Sequence, residues 1–225
     1  MITRCAFSNC RQQFEVAVAE GNERWQRPMP AVCPSCSRPQ SAKPIAILDY
    51  LEKLSAAYDL KSQGDYFAFN VIVEDIRSLH NIGSIFRTAD GAGVSKLILC
   101  GISGVPPRKQ IAKTSLGAED TVPWTYCGNV VESIEVFKEK GVQIVGLERN
   151  DRSIECTEFV EKQMRQPLCL IVGNEVTGLS LQALSLCDAV CHLPMRGSKE
   201  SLNVAVAFGI AAYMIAARIN HSETL

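Results

Sequence analysis

Four cysteines near the N-terminus stand in two close pairs, Cys5 and Cys10 with four residues between them, Cys33 and Cys36 with two, and 22 residues separate the pairs. Four thiolates match the tetrahedral preference of Zn²⁺, and two short turns can each present two sulfurs to one ion. About 40 residues build little apolar core, whereas a structural zinc site contributes about 10–16 kcal/mol of folding free energy in isolated peptides. Residues 1–40 are therefore expected to form a zinc-ribbon-like module, the alternative being four unligated thiols in a loose tail. Arg4, Arg11, Arg24, Arg27 and Arg38 against Glu15, Glu20 and Glu23 make this stretch mildly basic, a charge that suits an RNA backbone and plain solvation equally. At the other end, residues 193–213 (LPMRGSKESLNVAVAFGIAAY) pass from a polar loop holding Pro194 and Gly197 straight into a small-residue apolar helix. Ser198 or Ser201 can cap the free N–H groups of that helix, and backbone donors exposed there suit an anionic or polar ligand. A buried helix with a capping loop is the plainer reading of this segment alone.

These groups need elements to position them. Residues 41–44 read as a linker, and Ile45, Leu48, Leu51, Leu54 and Ala57 recur at helical spacing up to Gly64, so 41–65 is assigned as linker and helix. Beyond it, strands are expected over 66–73, 96–100, 142–147, 167–173 and 189–193, with helices over 82–92, 130–140, 179–186 and 201–218. That alternation favours an α/β domain with a mostly parallel sheet. No glycine-rich dinucleotide fingerprint follows the first strand, because Glu74-Asp75-Ile76-Arg77-Ser78 stands there. On the helix after it, Ile82, Ile85, Phe86 and Ala89 form the inward stripe and Arg87 faces out. Asn81 sits where an N-cap belongs, and Arg87 taken alone is a surface residue paired with Asp90. Residues 108–118 mix Arg108, Lys109 and Lys113 with hydroxyls and Gly117, which fits a phosphate-contacting loop or a solvated one. Cys100, Cys127, Cys156, Cys169, Cys187 and Cys191 fall in or beside apolar segments and read as core thiols, while His80, His192 and His221 show no metal spacing.

Composition narrows the class. The chain has 225 residues, 47% of them apolar, enough for one sizeable domain and a small appendage. A formal net charge of −1 gives no global sign of nucleic acid, so an RNA reader would have to concentrate its cations locally. The first residues, MITRCAFSNC, lack the apolar stretch of a secretion signal, and the longest apolar run, 204–217, falls short of a membrane span. A cytoplasmic location with reduced cysteines is expected.

Residues 81–90 (NIGSIFRTAD), 170–179 (LIVGNEVTGL) and 193–213, in this order, resemble the three signature motifs of the SpoU-like (TrmH-like) RNA methyltransferases of the SPOUT superfamily. The likeness extends over 66–225, with Ile-Gly after Asn81 where many members have Val-Gly. It implies a domain with a C-terminal trefoil knot, a feature that periodicity does not reveal and that chains as a rule avoid. It also implies S-adenosylmethionine held in the knot, a homodimer, and methyl transfer to a ribose 2′-hydroxyl of tRNA or rRNA. By this likeness the cofactor site comprises Gly173, Asn174, Glu175, Gly178, Leu193, Met195, Ser201, Leu202 and Asn203, with Gly173 and Leu193 bordering the adenosine through main-chain groups. Asn81, Arg87, Glu175, Ser201 and Asn203 are the residues expected around the reacting oxygen, and Arg87 is expected to reach a site shared across the dimer.

A guanidinium keeps its proton at ordinary pH and makes a poor general base. Arg87 is therefore assigned electrostatic work beside the alkoxide that develops as the ribose hydroxyl attacks a sulfonium methyl; proton removal by Arg87 itself, aided by RNA phosphate, is the alternative. Glu175 either touches RNA, organises Arg87, or is simply a polar turn residue. Methylation of a base nitrogen and a non-catalytic RNA-binding role on the same fold are the rival functions.

Overall fold

All six side chains of β5 (Phe69–Glu74, FNVIVE) are buried, as a strand covered on both faces of a parallel sheet requires. Around it the computed structural model describes residues 2–4, 10, 12–15, 30–37, 39–41 and 69–222. The helix assigned within 41–65 lies outside the described residues. Near the N-terminus β1 (Ile2–Arg4) pairs antiparallel with β2 (Gln13–Glu15), and β3 (Pro30–Val32) pairs antiparallel with β4 (Pro39–Ser41).

β5 pairs in parallel with β6 (Lys96–Cys100) on one side and β10 (Leu168–Val172) on the other. β7 (Trp124–Cys127) extends the sheet beyond β6, and β8 (Gln143–Leu147), β11 (Ala189–His192) and β9 (Ile154–Glu155) follow β10 in that order. The seven strands of this sheet are all parallel. β7 and β9 have no counterpart among the strands expected from sequence. β9 is two residues long, too short for any periodic signal, and β7 is a four-residue edge strand closed by Pro123 and Gly128.

Successive residues of a strand face opposite sides, and the core divides accordingly. Val71 and Val73 point into a cluster with Phe86, Trp124, Phe159 and Phe208, whereas Ile72 points into a second cluster with Ile98, Ile134, Phe137 and Ile171. The first cluster is closed by α1 (Leu79–Gly91), α5 (Cys156–Lys162) and α7 (Val204–Ser222), the second by α4 (Val130–Glu139) and α6 (Leu181–Leu186). Phe86 meets Trp124 edge to face, with ring centroids 6.5 Å apart at 87°, a geometry worth about 0.5–1.5 kcal/mol beyond area burial.

Three local expectations are corrected. The N-cap of α1 is Ser78, whose hydroxyl accepts from the Asn81 N–H; Asn81 lies inside the first turn. The 108–118 segment is not an open loop but α2 (Lys109–Ser115) and α3 (Ala118–Thr121), split by Leu116 and Gly117 at φ 52° and 95°. The last helix starts at Val204, not at 201, and neither Ser198 nor Ser201 caps it. Asn203 does, its Oδ1 accepting from the Ala205 N–H at 2.9 Å and its carbonyl from the Ala207 N–H at 2.9 Å.

Cys100, Cys156, Cys169 and Cys191 are buried and Cys127 and Cys187 half-buried, all as free thiols, in keeping with core packing. Among the described residues no helix is long and apolar enough to cross a membrane.

α1 and α2 approach closely at Gly83, where an added Cβ would run into Thr114 Oγ1 and the Ile111 carbonyl. Thr114 Oγ1 also donates to the His80 carbonyl at 3.0 Å, fixing the pair. Gly83→Ala is expected to lower unfolding free energy by about 1–3 kcal/mol through overpacking, with Ser84→Ala on the neighbouring position within about 0.5 kcal/mol; urea titration of both variants measures this.

Candidate functional site

Ligands of parallel α/β sheets gather beyond the carboxyl ends of the strands, and here three loops leave those ends side by side. After β10 the chain turns back on itself: the Asn174 N–H donates to the Gly178 carbonyl at 3.1 Å and the Gly178 N–H to the Asn174 carbonyl at 2.9 Å. Asn174 Oδ1 accepts from the N–H groups of Val176 and Thr177 inside the turn, and its Nδ2 donates to the Asp75 carbonyl at 2.7 Å. The turn is thereby tied to the loop leaving β5. Gly178 has φ +67°, and a Cβ there would strike the Glu148 carboxylate; one on Gly173 would strike the backbone of Gly178 and Leu179. Both positions need glycine, one for conformation and approach, the other for approach alone.

Glu175 extends from the tip of this turn to the start of α1. Its carboxylate accepts from the N–H groups of Arg77 at 3.3 Å and Ser78 at 3.2 Å, and from Asn81 Nδ2 at 3.0 Å. A carboxylate at a helix N-terminus is favoured by the unpaired donors and the dipole there. Ser78 already serves the Asn81 backbone, which leaves the Asn81 side-chain amide free to bridge. Because an ionised carboxylate only accepts, the amide nitrogen of Asn81 must face Glu175, and Oδ1 is left to accept from Asn203 Nδ2 at 3.1 Å. One hydrogen-bonded chain, Glu175 to Asn81 to Asn203, thus joins the three sequence motifs.

Beside this chain opens a cavity of about 280 Å³, close to the lower bound of small-ligand pockets. Gly173, Asn174, Glu175 and Gly178 line one side, and Leu193, Met195, Ser201, Leu202 and Asn203 another. Leu147, Glu148, Arg149 and His192 also belong to the wall and were not singled out from sequence as site residues. Their signal was positional, since 148–149 directly follow an expected strand and His192 directly precedes Leu193. Glu148 has both oxygens engaged, Oε2 by the Leu179 N–H and Oε1 by the Arg149 N–H, each at 3.0 Å.

Arg87 does not line the cavity. It is exposed on α1, six residues beyond Asn81 or about 9 Å along the helix axis. The pairing with Asp90 is not formed; Asp90 Oδ1 accepts instead from Thr121 Oγ1 at 2.8 Å. Asn81 reaches the cavity wall only through Glu175 and Asn203.

Away from this site, the Sγ atoms of Cys10, Cys33 and Cys36 all lie within 4.8 Å of one another, with Cys10 and Cys33 3.6 Å apart. Cys5 lies outside the described residues. Hydrogen bonding, first from the Gln12 backbone and then from Cys33, Ser35 and Cys36, draws the Cys10 thiol down to about 6, the direction a metal-binding thiolate needs. Cys33 is buried against Phe14 and against Val131 in the first turn of α4.

A family profile described as the SpoU rRNA Methylase family matches residues 68–213. The chain belongs to this family. Among similar SpoU-type sequences, the putative TrmH family tRNA/rRNA methyltransferase YacO of Bacillus subtilis is 30% identical over 171 residues, 76% of this chain and 67% of YacO. The 23S rRNA (guanosine-2′-O-)-methyltransferase RlmB of Shewanella oneidensis is 33% identical over 177 residues, 79% of this chain and 67% of RlmB. The SpoU methyltransferase AviRb from Streptomyces viridochromogenes, solved with AdoMet, superposes with a TM-score of 0.63 at 26% identity, over 72% of this chain and 64% of AviRb. The TrmH/SpoU tRNA modifying enzyme of A. aeolicus gives a TM-score of 0.63 at 26% identity, over 80% of this chain and 87% of that one. The parallel sheet found here is the sheet of this SpoU fold.

In this SpoU-family chain the bridge through Asn81 has a measurable energy. A double-mutant cycle on Asn81→Ala and Asn203→Ala is expected to give a coupling of about 0.5–1 kcal/mol, and Glu175→Ala, which releases the Asn81 amide, should reduce that coupling towards zero.

Proposed function

We propose that this protein is an S-adenosylmethionine-dependent methyltransferase acting on a ribose 2′-hydroxyl of tRNA or rRNA. The observation that carries this reading is the Glu175–Asn81–Asn203 chain, which draws three separate motif loops to one cavity. The residues present fit the cofactor. The turn at 173–178 closes on itself and on Glu148 only because Gly173 and Gly178 lack side chains, which shapes the cavity, and the wall mixes apolar Leu147, Val172, Leu193 and Leu202 with the polar Glu148, His192 and Ser201, as an adenosine with a charged tail requires.

In this reading Gly173, Asn174, Glu175, Gly178, Leu193, Met195, Ser201, Leu202 and Asn203 hold the cofactor, which supplies an electrophilic methyl group on a sulfonium. Ser201 and Asn203 stand near the methyl and the 2′-oxygen. Asn81 and Glu175 keep the first and second loops in register with the third. Arg87 provides a permanent positive charge for the oxygen as it loses its proton, and its fork can hold a neighbouring RNA phosphate in line. Since Arg87 lies outside the cavity of its own subunit, the reading places it at the site of a second copy. An apolar stripe on α7 supports a homodimer: Val206, Ile210 and Tyr213, one turn apart on one side of the helix, are 51%, 43% and 55% exposed.

The proposed organisation is a zinc-ribbon-like module over 1–40, a linker and helix over 41–65, and the methyltransferase domain over 66–225 with a C-terminal trefoil knot. Three converging thiols support structural zinc in the first of these, with Cys5 as fourth ligand, and the seat on Val131 supports a module that orients RNA beside the main domain. A protein of this kind works in the cytoplasm.

Incubation with methyl-labelled cofactor and RNA lacking the modification, followed by digestion to nucleosides, should give a 2′-O-methyl nucleoside; a methylated base would overturn the ribose assignment. Arg87→Ala should abolish incorporation while leaving cofactor affinity within about threefold, less than 1 kcal/mol. Elemental analysis of the purified protein should find about one zinc per chain, lost in Cys33→Ser.

A further inference from the structure

We propose, on the RNA methyltransferase reading above, that the outer face of the α1–α2 pair is an RNA-backbone surface, with Lys109 and Lys113 holding phosphates that flank the nucleotide to be modified. Between Ile76 and Ala118 the chain carries six cations, Arg77, Arg87, Lys96, Arg108, Lys109 and Lys113, against one acid, Asp90. The rest of the chain holds 17 cations and 23 acids, so this stretch opposes the sign of everything around it. A protein with a net charge of −1 needs such a concentration if it is to bind a polyanion. The acids in and beside the stretch are engaged by local donors. Asp75 Oδ1 accepts from the Ile102 N–H, Asp90 Oδ1 from Thr121 Oγ1, and Glu119 Oε2 from Ser115 Oγ and the Gly117 N–H.

α2 gives the two lysines a rigid place. Ile111 and Ser115 are buried while Lys109 and Lys113 are exposed, so the lysines stand one turn apart on the side away from the core, about 6 Å along the axis. Among the described residues neither lysine has an ion-pair partner, nor has Arg87. The face also has a fixed register to the cavity. Thr114 Oγ1 donates to the His80 carbonyl, and Gly83 lets α1 meet α2 at Ile111 and Thr114. α2 is thereby fastened to the helix start that carries Asn81 and receives Glu175. Arg87 follows Gly83 by one turn on α1 and is exposed, so its charge adjoins those of α2. With Arg87 placed at the cavity of a second copy, the lysines lie along the approach of the RNA strand to that cavity. Ammonium groups read phosphate and not bases, so they position RNA of any sequence.

The test uses unmodified rRNA and tRNA transcripts. In methylation assays at 0.1 M salt, Lys109→Gln/Lys113→Gln is expected to raise the RNA KM about tenfold or more, with kcat and the cofactor KM within about twofold. In binding titrations the slope of log K against log salt should flatten by about 1.4–1.8, the share of two phosphate contacts. Lys109→Arg/Lys113→Arg keeps the charge and should restore both values. Lys162→Gln/Arg165→Gln removes equal charge from α5 and the turn after it, and should change the slope by less than about 0.5. If the unaltered chain methylates neither RNA, the proposed function fails and this surface with it. If it methylates RNA and the Lys109/Lys113 variant keeps its KM and slope, the surface alone is overturned. An equal effect of the Lys162/Arg165 variant would overturn it in favour of diffuse charge, and a fall in kcat at unchanged RNA KM in favour of a role in chemistry.

Discussion

The site depends on one carboxylate placed at the mouth of a helix. Glu175 is far in sequence from Arg77, Ser78 and Asn81, yet it takes hydrogen bonds from all three. The two backbone bonds are long and the group is exposed, so none of the three is strong by itself in water. Their effect is geometric. With its Nδ2 held by Glu175, Asn81 has one face left, an acceptor, and only a donor such as Asn203 Nδ2 can meet it. Charge at one end of the chain sets amide orientation at the other. Ser78 is part of the same logic, because by taking over the capping role it releases Asn81 from local duty.

The main sheet gives that chain its footing. Six buried residues in β5 and five in β10, in register from Phe69–Leu168 to Val73–Val172, fix where the 74–78 and 173–178 loops start. Asn174 then ties those two loops together through the Asp75 carbonyl, and Glu148 ties the turn to β8 through the Leu179 N–H. Glycine appears where two backbones or a backbone and a carboxylate must nearly touch. Rigid strands and missing side chains, more than any single strong bond, shape the cavity.

Much of this could be read from sequence. Five of the seven parallel strands showed as bounded apolar runs, and helices at 130–140 and 179–186 came out within two residues because Asn129 and Ser180 are sound caps whose side chains accept from the helix start. The three motifs told which loops matter, and the structure brings the residues assigned to the cofactor around one cavity. The misses have physical causes. A four-residue edge strand and a two-residue strand offer no period to detect. Helices of seven and four residues in the 109–121 segment are held by packing on α1, not by their polar composition. The exchange of roles between Ser78 and Asn81 was illegible because both are good caps, and only the distant position of Glu175 decides between them. Glu148 and His192 escaped because only their places at strand ends mark them, and no motif does.

The order of the strands bears on biosynthesis. The cavity wall is drawn from the 147–149, 172–178 and 192–207 stretches, while the helix start that organises it comes from 77–81. A nascent chain that has emerged as far as β10 can already pair β5, β6, β7 and β8, yet it lacks Asn203 and the floor that follows it. Competence to hold a ligand thus arrives only after the scaffold has been made, so a growing chain on the ribosome that has not yet exposed Asn203 has no finished pocket with which to capture a small molecule early.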